Sequence, residues 1–170
     1  MSDQPDSPPS GVDRPLGAYA VLMGAFLALV GGFAAWVRNS GRELPDGPSP
    51  SDLALVTVAA HKASRLLSKE RVTSPVRAPF TEVEPVAGTG KLEETATGDG
   101  LRRALGELVG CPRCLSLWLV TAFMAGLIVA PRTTRWTASG FAAVFGSDLL
   151  QVVNRRIRES GDRATAEMLA

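Results

Sequence analysis

Apolar residues in this chain are concentrated in a few uncharged runs, which are separated by polar segments rich in proline and glycine. The first run, residues 16–37, extends for 22 residues without a charged side chain. A helix of about 20 apolar residues spans the hydrocarbon core of a bilayer, so this run predicts a transmembrane helix. It is too long for the apolar core of a cleaved secretory signal.

A second helix is predicted over residues 52–68, where Pro50, Ser51 and Asp52 have the chemistry of a helix start. Its first half is apolar, but its second half carries charged side chains. About 15 residues at 1.5 Å each give roughly 22 Å, which is short of the ~30 Å hydrocarbon core. The segment therefore predicts a short membrane span, and an interfacial or re-entrant helix is the alternative.

Two further membrane helices are predicted near the C-terminus, over residues 114–130 and 136–153. The first is uncharged from Leu115 onward, and the second is interrupted by a single acidic residue. The five residues between them begin at Pro131 and predict a tight turn.

The remaining segments are polar. Residues 1–15 are rich in Pro, Ser and Asp and predict a disordered leader. Residues 38–51 predict a linker, and residues 154–170 predict a solvated helical tail. Residues 69–113 hold many prolines and glycines and predict an irregular loop, which ends in a short amphipathic helix over residues 100–110.

The distribution of Lys and Arg predicts which side of the membrane each segment faces, because cytoplasmic loops collect these residues. Four spans with both termini inside place 14 of the 18 Lys and Arg residues in the cytoplasm, and the three-span alternative places 15 there. Both arrangements put residues 69–113 and the C-terminus in the cytoplasm of a multi-pass protein of the inner (plasma) membrane. The formal net charge of +1 gives no basic field for nucleic acid.

Both cysteines of the chain, Cys111 and Cys114, form a C-x-x-C pair before a predicted span. Pro112 suits the first turn of a helix, which places Cys111 at the N-cap, where the helix dipole lowers the pKa of a thiol. A cytoplasmic location argues against a permanent disulfide. A structural role, a thiol-redox couple and a zinc site all remain open, and zinc would need His61, a carboxylate or a second copy to complete its ligands.

Ionisable side chains inside predicted membrane helices form a second candidate site, because such groups are costly in a bilayer and tend to pair or to function there. His61 and Asp148 lie roughly 10 Å and 9 Å from the cytoplasmic ends of their helices. Arg65 follows His61 on the same helix face. We therefore predict a buried polar cluster of His61, Arg65 and Asp148, either as a structural tie or as part of a site.

Basic residues beyond the second helix predict contact with anionic lipid headgroups, with ordinary enrichment of cytoplasmic loops in positive charge as the alternative. These residues are Lys69, Arg71 and Arg77. Small residues repeat every four positions on the first span and permit close helix packing within the chain, with a second copy or with another membrane protein. They are Ala20, Gly24, Ala28 and Gly32.

Three stretches of the chain resemble a known family. "HKASRLLSKERVTSPVRAPF", "GLRRALGELVGCPRCLSLW" and "SDLLQ" are similar, in this order, to the bacterial membrane proteins of domain-of-unknown-function family 1360. The resemblance covers roughly residues 52–153. It implies a helical membrane module with the C-x-x-C pair at its cytoplasmic surface, and it implies no known reaction.

Taken together, the sequence predicts an all-α integral membrane bundle with four membrane helices, or three and one interfacial helix, and an irregular cytoplasmic loop. We favour a binding, assembly or sensing module with a cytoplasmic C-x-x-C pair over an enzyme. The alternative is a membrane thiol-redox or lipid-headgroup enzyme that uses Cys111 and Cys114, or His61 and Asp148.

Overall fold

The structure, a computed structural model, describes residues 15–41, 47–85 and 92–168, with the backbone alone for 84–85, 92–93 and 162–168. Nearly all of the predicted leader lies outside the described residues. Those that are described form six α-helices, one 3-10 turn and one two-stranded hairpin. The prediction of a mainly helical chain is therefore confirmed.

Among the described residues, two helices are long and apolar enough to cross a membrane, judged by length and composition. They are α1, Leu16–Asn39, and α5, Pro112–Val129. One side chain of α1, Val37, is buried against the rest of the chain, and none of α5 is. Apolar surface of this extent is unfavourable in water by about 25 cal/mol per Å², so these helices need lipid or another apolar partner around them.

The second helix, α2, is Pro50–Lys69, three residues longer than the predicted 52–68. Its N-cap is Ser49, whose hydroxyl accepts a hydrogen bond of 3.1 Å from the Asp52 N–H. α2 lies between α5 and α6 and contacts both. It supplies most of the buried apolar core, namely Val56, Ala59, Ala60 and Ala63, and these small side chains let the neighbouring helices approach closely.

The last helix, α6, is a single unbroken element over Pro131–Met168, 38 residues long. The prediction of a turn at residues 131–135 is wrong, because Ala130 alone separates α5 from α6. Pro131 is tolerated at the first helical position, where its missing N–H is not needed. The two helices can meet this tightly because Gly126 has no side chain: a Cβ there would lie 2.6 Å from the Thr134 hydroxyl.

The described residues between α2 and α5, 70–85 and 92–111, form mostly regular structure, so the prediction of an irregular loop is wrong for them. A 3-10 turn, Arg71–Thr73, leads into the short helix α3, Ser74–Arg77. Strands β1, Thr81–Pro85, and β2, Leu92–Ala96, then pair antiparallel with Thr81 opposite Ala96. Helix α4, Gly100–Gly110, follows and packs on β2. The chain is therefore mainly rather than entirely helical.

Arg77 holds this segment to the end of α2. Its side chain is 1% exposed, and its guanidinium donates to the backbone carbonyls of Leu67 at 2.6 Å and Glu70 at 3.1 Å. It also donates twice to the Glu94 carboxylate on β2, at 2.6 and 2.9 Å. The guanidinium thus satisfies carbonyls left unpaired at a helix C-terminus and ties the hairpin to α2.

α2 and α6 run in the same direction. Near their starts, the Arg135 guanidinium donates two hydrogen bonds of 2.8 Å to the Asp52 carboxylate. Further along both helices, the Lys62 ammonium donates to the Asp148 carboxylate at 2.6 Å. Two contacts made in the same order along two helices require that the helices be parallel.

α1 and α5 also run in the same direction, opposite to α2 and α6. The Tyr19 hydroxyl at the start of α1 donates to the Glu107 carboxylate on α4, just before α5 begins. Seven residues further along α1, Phe26 packs edge-on against Trp118 of α5, with ring centroids 5.1 Å apart. Since α5 and α6 are joined by a single residue and fold back on each other, the four long helices form two parallel pairs, α1 with α5 and α2 with α6, that run in opposite directions.

The close contact between α4 and the hairpin can be tested at Gly106. A Cβ on Gly106 would lie 2.4 Å from the Phe80 carbonyl oxygen and 2.9 Å from the Ala96 Cβ. We expect Gly106→Ala to lower the free energy of unfolding by about 1–3 kcal/mol, the usual cost of overpacking. The measurement is denaturant unfolding of the purified protein in detergent.

Gly110→Ala is the matched control, since Gly110 lies on the same helix and a Cβ there meets nothing within 4 Å. We expect this change to be neutral or stabilising by about 0.5–1 kcal/mol. Equal stability of the two variants would contradict the close packing of α4 on the hairpin.

Candidate functional site: the thiol pair at the start of α5

Cys111 and Cys114 lie side by side at the N-terminus of α5. Cys111 is the N-cap, Pro112 takes the first helical position, and the Cys114 N–H donates to the Cys111 sulfur at 3.3 Å. The two sulfurs are 2.7 Å apart, with the Cys114 thiol donating to Cys111, and both cysteines are free. This is the arrangement that the C-P-x-C pattern predicts.

The surroundings favour the thiolate of Cys111. The hydrogen bond from the Cys114 thiol is the main reason that the pKa of Cys111 lies below its ordinary value of 9.0. The backbone N–H groups of Cys114 and Arg113 and the charge of Arg113 lower this pKa further. Because the thiolate is the nucleophile in thiol chemistry, Cys111 is the member of the pair that is suited to attack.

The predicted zinc site has two ligands from this chain in the described structure. No group of three or more His, Cys, Asp or Glu side chains suited to a metal ion occurs among the described residues. His61, the histidine considered as a third ligand, packs edge-on against Phe145 with ring centroids 5.7 Å apart. A tetrahedral zinc site would therefore need ligands from a second copy or another protein.

The predicted cluster of His61, Arg65 and Asp148 does not form as a buried trio. Asp148 does meet α2, but its partner is Lys62, whose side chain is 10% exposed against 48% for Asp148. His61 and Arg65 are exposed. Adjacent helix positions differ by about 100° in direction. Lys62 and His61 therefore meet different side chains of α6: Lys62 bonds the Asp148 carboxylate, and the His61 ring packs against Phe145.

Only two of the three predicted headgroup contacts lie at the surface. Lys69 and Arg71 are exposed, whereas Arg77 is buried and bonded to backbone carbonyls and Glu94. Arg77 is therefore not available to a lipid headgroup. Its role is to cap α2, which the sequence pattern alone did not reveal because its acidic partner is 17 residues away.

The row of small residues on α1 is exposed. Ala20, Gly24, Ala28 and Gly32 all lie on the surface, and a Cβ added at either glycine would meet nothing within 4 Å. Within the described chain this face does not pack against another helix. Its contact with a second copy stays a prediction.

One pair that the sequence reading did not anticipate is Asp52–Arg135, at the end of the bundle opposite the cysteines. Its signal was present in the sequence, since Asp52 and Arg135 are charges of opposite sign that each lie near the start of a helix. The pair lines a shallow pocket of about 150 Å³, together with Gly47, Pro48, Met124, Leu127 and Ile128.

Comparison with known proteins shows which family this chain belongs to. Residues 55–154 match the family described as a protein of unknown function, DUF1360. The chain belongs to this family. The match takes in the thiol pair, the Lys62–Asp148 pair and the Arg77–Glu94 pair, whereas α1 lies outside it.

The chain is also similar, at low identity, to a curated bacterial protein. The sporulation protein YjcA of Bacillus subtilis (strain 168) is 28% identical over 87 residues, which cover 49% of this chain and 74% of that protein. No solved structure matches the chain. The match over residues 55–154 confirms the resemblance to DUF1360 that the sequence motifs indicated.

The effect of Cys114 on Cys111 gives a direct prediction. Cys114→Ala removes the thiol donor that contributes most to the lowered pKa, so we expect the pKa of Cys111 to rise. The measurement is the rate of alkylation of Cys111 by iodoacetamide between pH 6 and 10, followed by peptide mass spectrometry. Ser116→Ala is the control, because the Ser116 hydroxyl donates to the Arg113 carbonyl rather than to Cys111. An unchanged midpoint in Cys114→Ala would show that the sulfur–sulfur contact does not tune Cys111.

Proposed function

We propose that this chain is a four-span bacterial membrane protein that acts as a sensing or assembly module through a reversible dithiol–disulfide pair on its cytoplasmic face. The observation that carries the proposal is the placement of the Cys111 and Cys114 sulfurs 2.7 Å apart at a helix N-terminus. Little movement separates this pair from a disulfide, and the lowered pKa of Cys111 favours the reactive thiolate.

The exchange proceeds in two steps with a small disulfide oxidant such as glutathione disulfide. The Cys111 thiolate attacks one oxidant sulfur, which forms a mixed disulfide and releases one glutathione thiolate. Cys114 then loses its proton and attacks the Cys111 sulfur, which forms the Cys111–Cys114 disulfide and releases the second glutathione thiolate. Two cysteine thiols are oxidised, and one oxidant disulfide is reduced to two thiols.

The helix directions support four spans. α1 and α5 are parallel, and α2 and α6 run the other way, as expected when successive helices cross a bilayer alternately. If α2 were interfacial, α1 would have to run opposite to α5. α2 has 20 residues and is about 30 Å long, which equals the thickness of the hydrocarbon core.

Charges in α2 and α6 explain why hydropathy alone selects α1 and α5. Charged groups within membrane helices are tolerated when they pair with one another. Asp52 pairs with Arg135 and Lys62 pairs with Asp148, one pair near each end of the contact between the two helices. The distribution of Lys and Arg then supports a cytoplasmic location for the thiol pair.

A module that exchanges thiols at an open surface fits the site better than an enclosed active site does. Cys114 is exposed, so a soluble disulfide or a protein partner can approach the pair. The Asp148 carboxylate, which a lipid-headgroup enzyme would use with His61, is already engaged by Lys62. The name of the Bacillus subtilis relative refers to sporulation, and a developmental role for this chain is part of the proposal.

The proposal is tested by titrating the purified protein, in lipid nanodiscs, with glutathione buffers of increasing oxidation. Free thiols are then counted by the gel shift that a polymer-linked maleimide produces. We expect the two thiols to disappear together and to return on reduction, whereas Cys111→Ser and Cys114→Ser stop at a mixed disulfide with glutathione. Two thiols that stay free in the most oxidising buffer would refute redox sensing. Bound zinc that is lost in Cys114→Ser would instead assign the pair to metal binding.

A further inference from the structure

The exposed side of α2 carries three basic side chains in one row, the first of which also packs edge-on against Phe145 of α6. His61, Arg65 and Lys69 are four residues apart and exposed. Residues at this spacing lie above one another on the same face of a helix. We refer to His61, Arg65 and Lys69 as the α2 basic row.

Within the described residues, the basic row is not neutralised by hydrogen bonds or ion pairs. The nearby Asp148 carboxylate bonds Lys62 on another face of α2. The Glu94 carboxylate lies close enough to Lys69 for an electrostatic interaction, but it accepts two hydrogen bonds from Arg77. Arg65 and Lys69 therefore present two positive charges to the surroundings of the bundle.

The basic row differs from the positive charges of cytoplasmic loops because it extends along α2 from the membrane surface toward the bilayer interior. In the proposed topology Lys69 ends α2 at the cytoplasmic surface, Arg65 lies about 6 Å further in and His61 about 12 Å further in. Toward the other end of the helix the exposed side chains are uncharged, namely Leu53, Ala54 and Thr57. The exposed side of α2 is thus cationic at headgroup level and uncharged at acyl-chain level.

This pattern matches the shape and charge of a phospholipid with an anionic headgroup. On this basis we infer that the α2 basic row binds an anionic phospholipid of the inner leaflet, with the phosphate at Arg65 and Lys69 and an acyl chain along Thr57 and Leu53. The inference rests on the proposed four-span topology. A second copy packed symmetrically on this face would bring like charges together, which is unfavourable, so lipid is the occupant that charge complementarity favours.

The test compares two double variants that each remove two positive charges. Arg65→Gln with Lys69→Gln removes the charged part of the row, and Arg155→Gln with Arg158→Gln removes exposed arginines of α6 beyond the bundle. Full-length protein is extracted from vesicles of equimolar phosphatidylglycerol and phosphatidylcholine, and the retained lipids are counted by native mass spectrometry. We expect the wild type and the α6 variant to retain phosphatidylglycerol selectively. The row variant should lose selectivity roughly 30-fold, as expected for two contacts near the membrane surface.

An equal loss of phosphatidylglycerol selectivity in both double variants would overturn the inference, because it would show that positive charge anywhere on the protein is sufficient. Unchanged selectivity in the row variant would also overturn it. Disulfide cross-linking of two copies through Thr57→Cys, in a Cys111→Ser and Cys114→Ser background, would assign the face to a dimer instead. Arg65→Lys keeps the charge and should keep the selectivity, which separates a loss of binding from misfolding. Thiol counts on the same samples distinguish the two proposals, since lipid selectivity and disulfide formation are measured independently.

Discussion

The parallel pairing of α2 with α6 depends on two ion pairs, Asp52–Arg135 and Lys62–Asp148, and the rest of the arrangement follows from it. A buried charge whose partner is removed is unfavourable in proteins, and unpaired charges are rare inside membrane helices. α2 can therefore lie at the centre of an apolar bundle only in the orientation that joins both of its buried charges, Asp52 and Lys62, to α6. That orientation places the end of α2 beside the start of α5, where the cysteines lie.

From the end of α2 a continuous set of contacts leads to the thiol pair. Arg77 caps α2 and binds Glu94 on β2, α4 packs on the hairpin at Gly106, and α4 leads directly into Cys111. The bond from Arg77 holds the pKa of Glu94 below its ordinary value of 4.5. A carboxylate whose pKa is lowered by folding stabilises the folded state above its unfolded pKa, and this stabilisation is lost as pH falls through its folded pKa. The Arg77–Glu94 contact is therefore intact near neutral pH and weakens in acid.

The parts of the fold that could be predicted from sequence are those that local composition determines. α1 and α5 follow from uncharged runs, and the N-cap at Cys111 follows from Pro112. The hairpin could not be predicted, because it is held by contacts between residues far apart in sequence, such as Arg77 and Glu94. The partner of Asp148 was missed for a related reason: His61 and Lys62 both reach α6, and the packing of the two helices decides which of them meets Asp148 and which meets Phe145.

The central claim is that α2 crosses the membrane beside α6, and the most direct measurement is the labelling of single cysteines by a membrane-impermeant maleimide in intact cells. Ser51→Cys and Thr95→Cys, both at exposed positions, are compared in a Cys111→Ser and Cys114→Ser background. If α2 crosses the membrane, Ser51→Cys reacts in intact cells and Thr95→Cys reacts only after lysis. Protection of Ser51→Cys until lysis would place both ends of α2 on the cytoplasmic side and contradict the account.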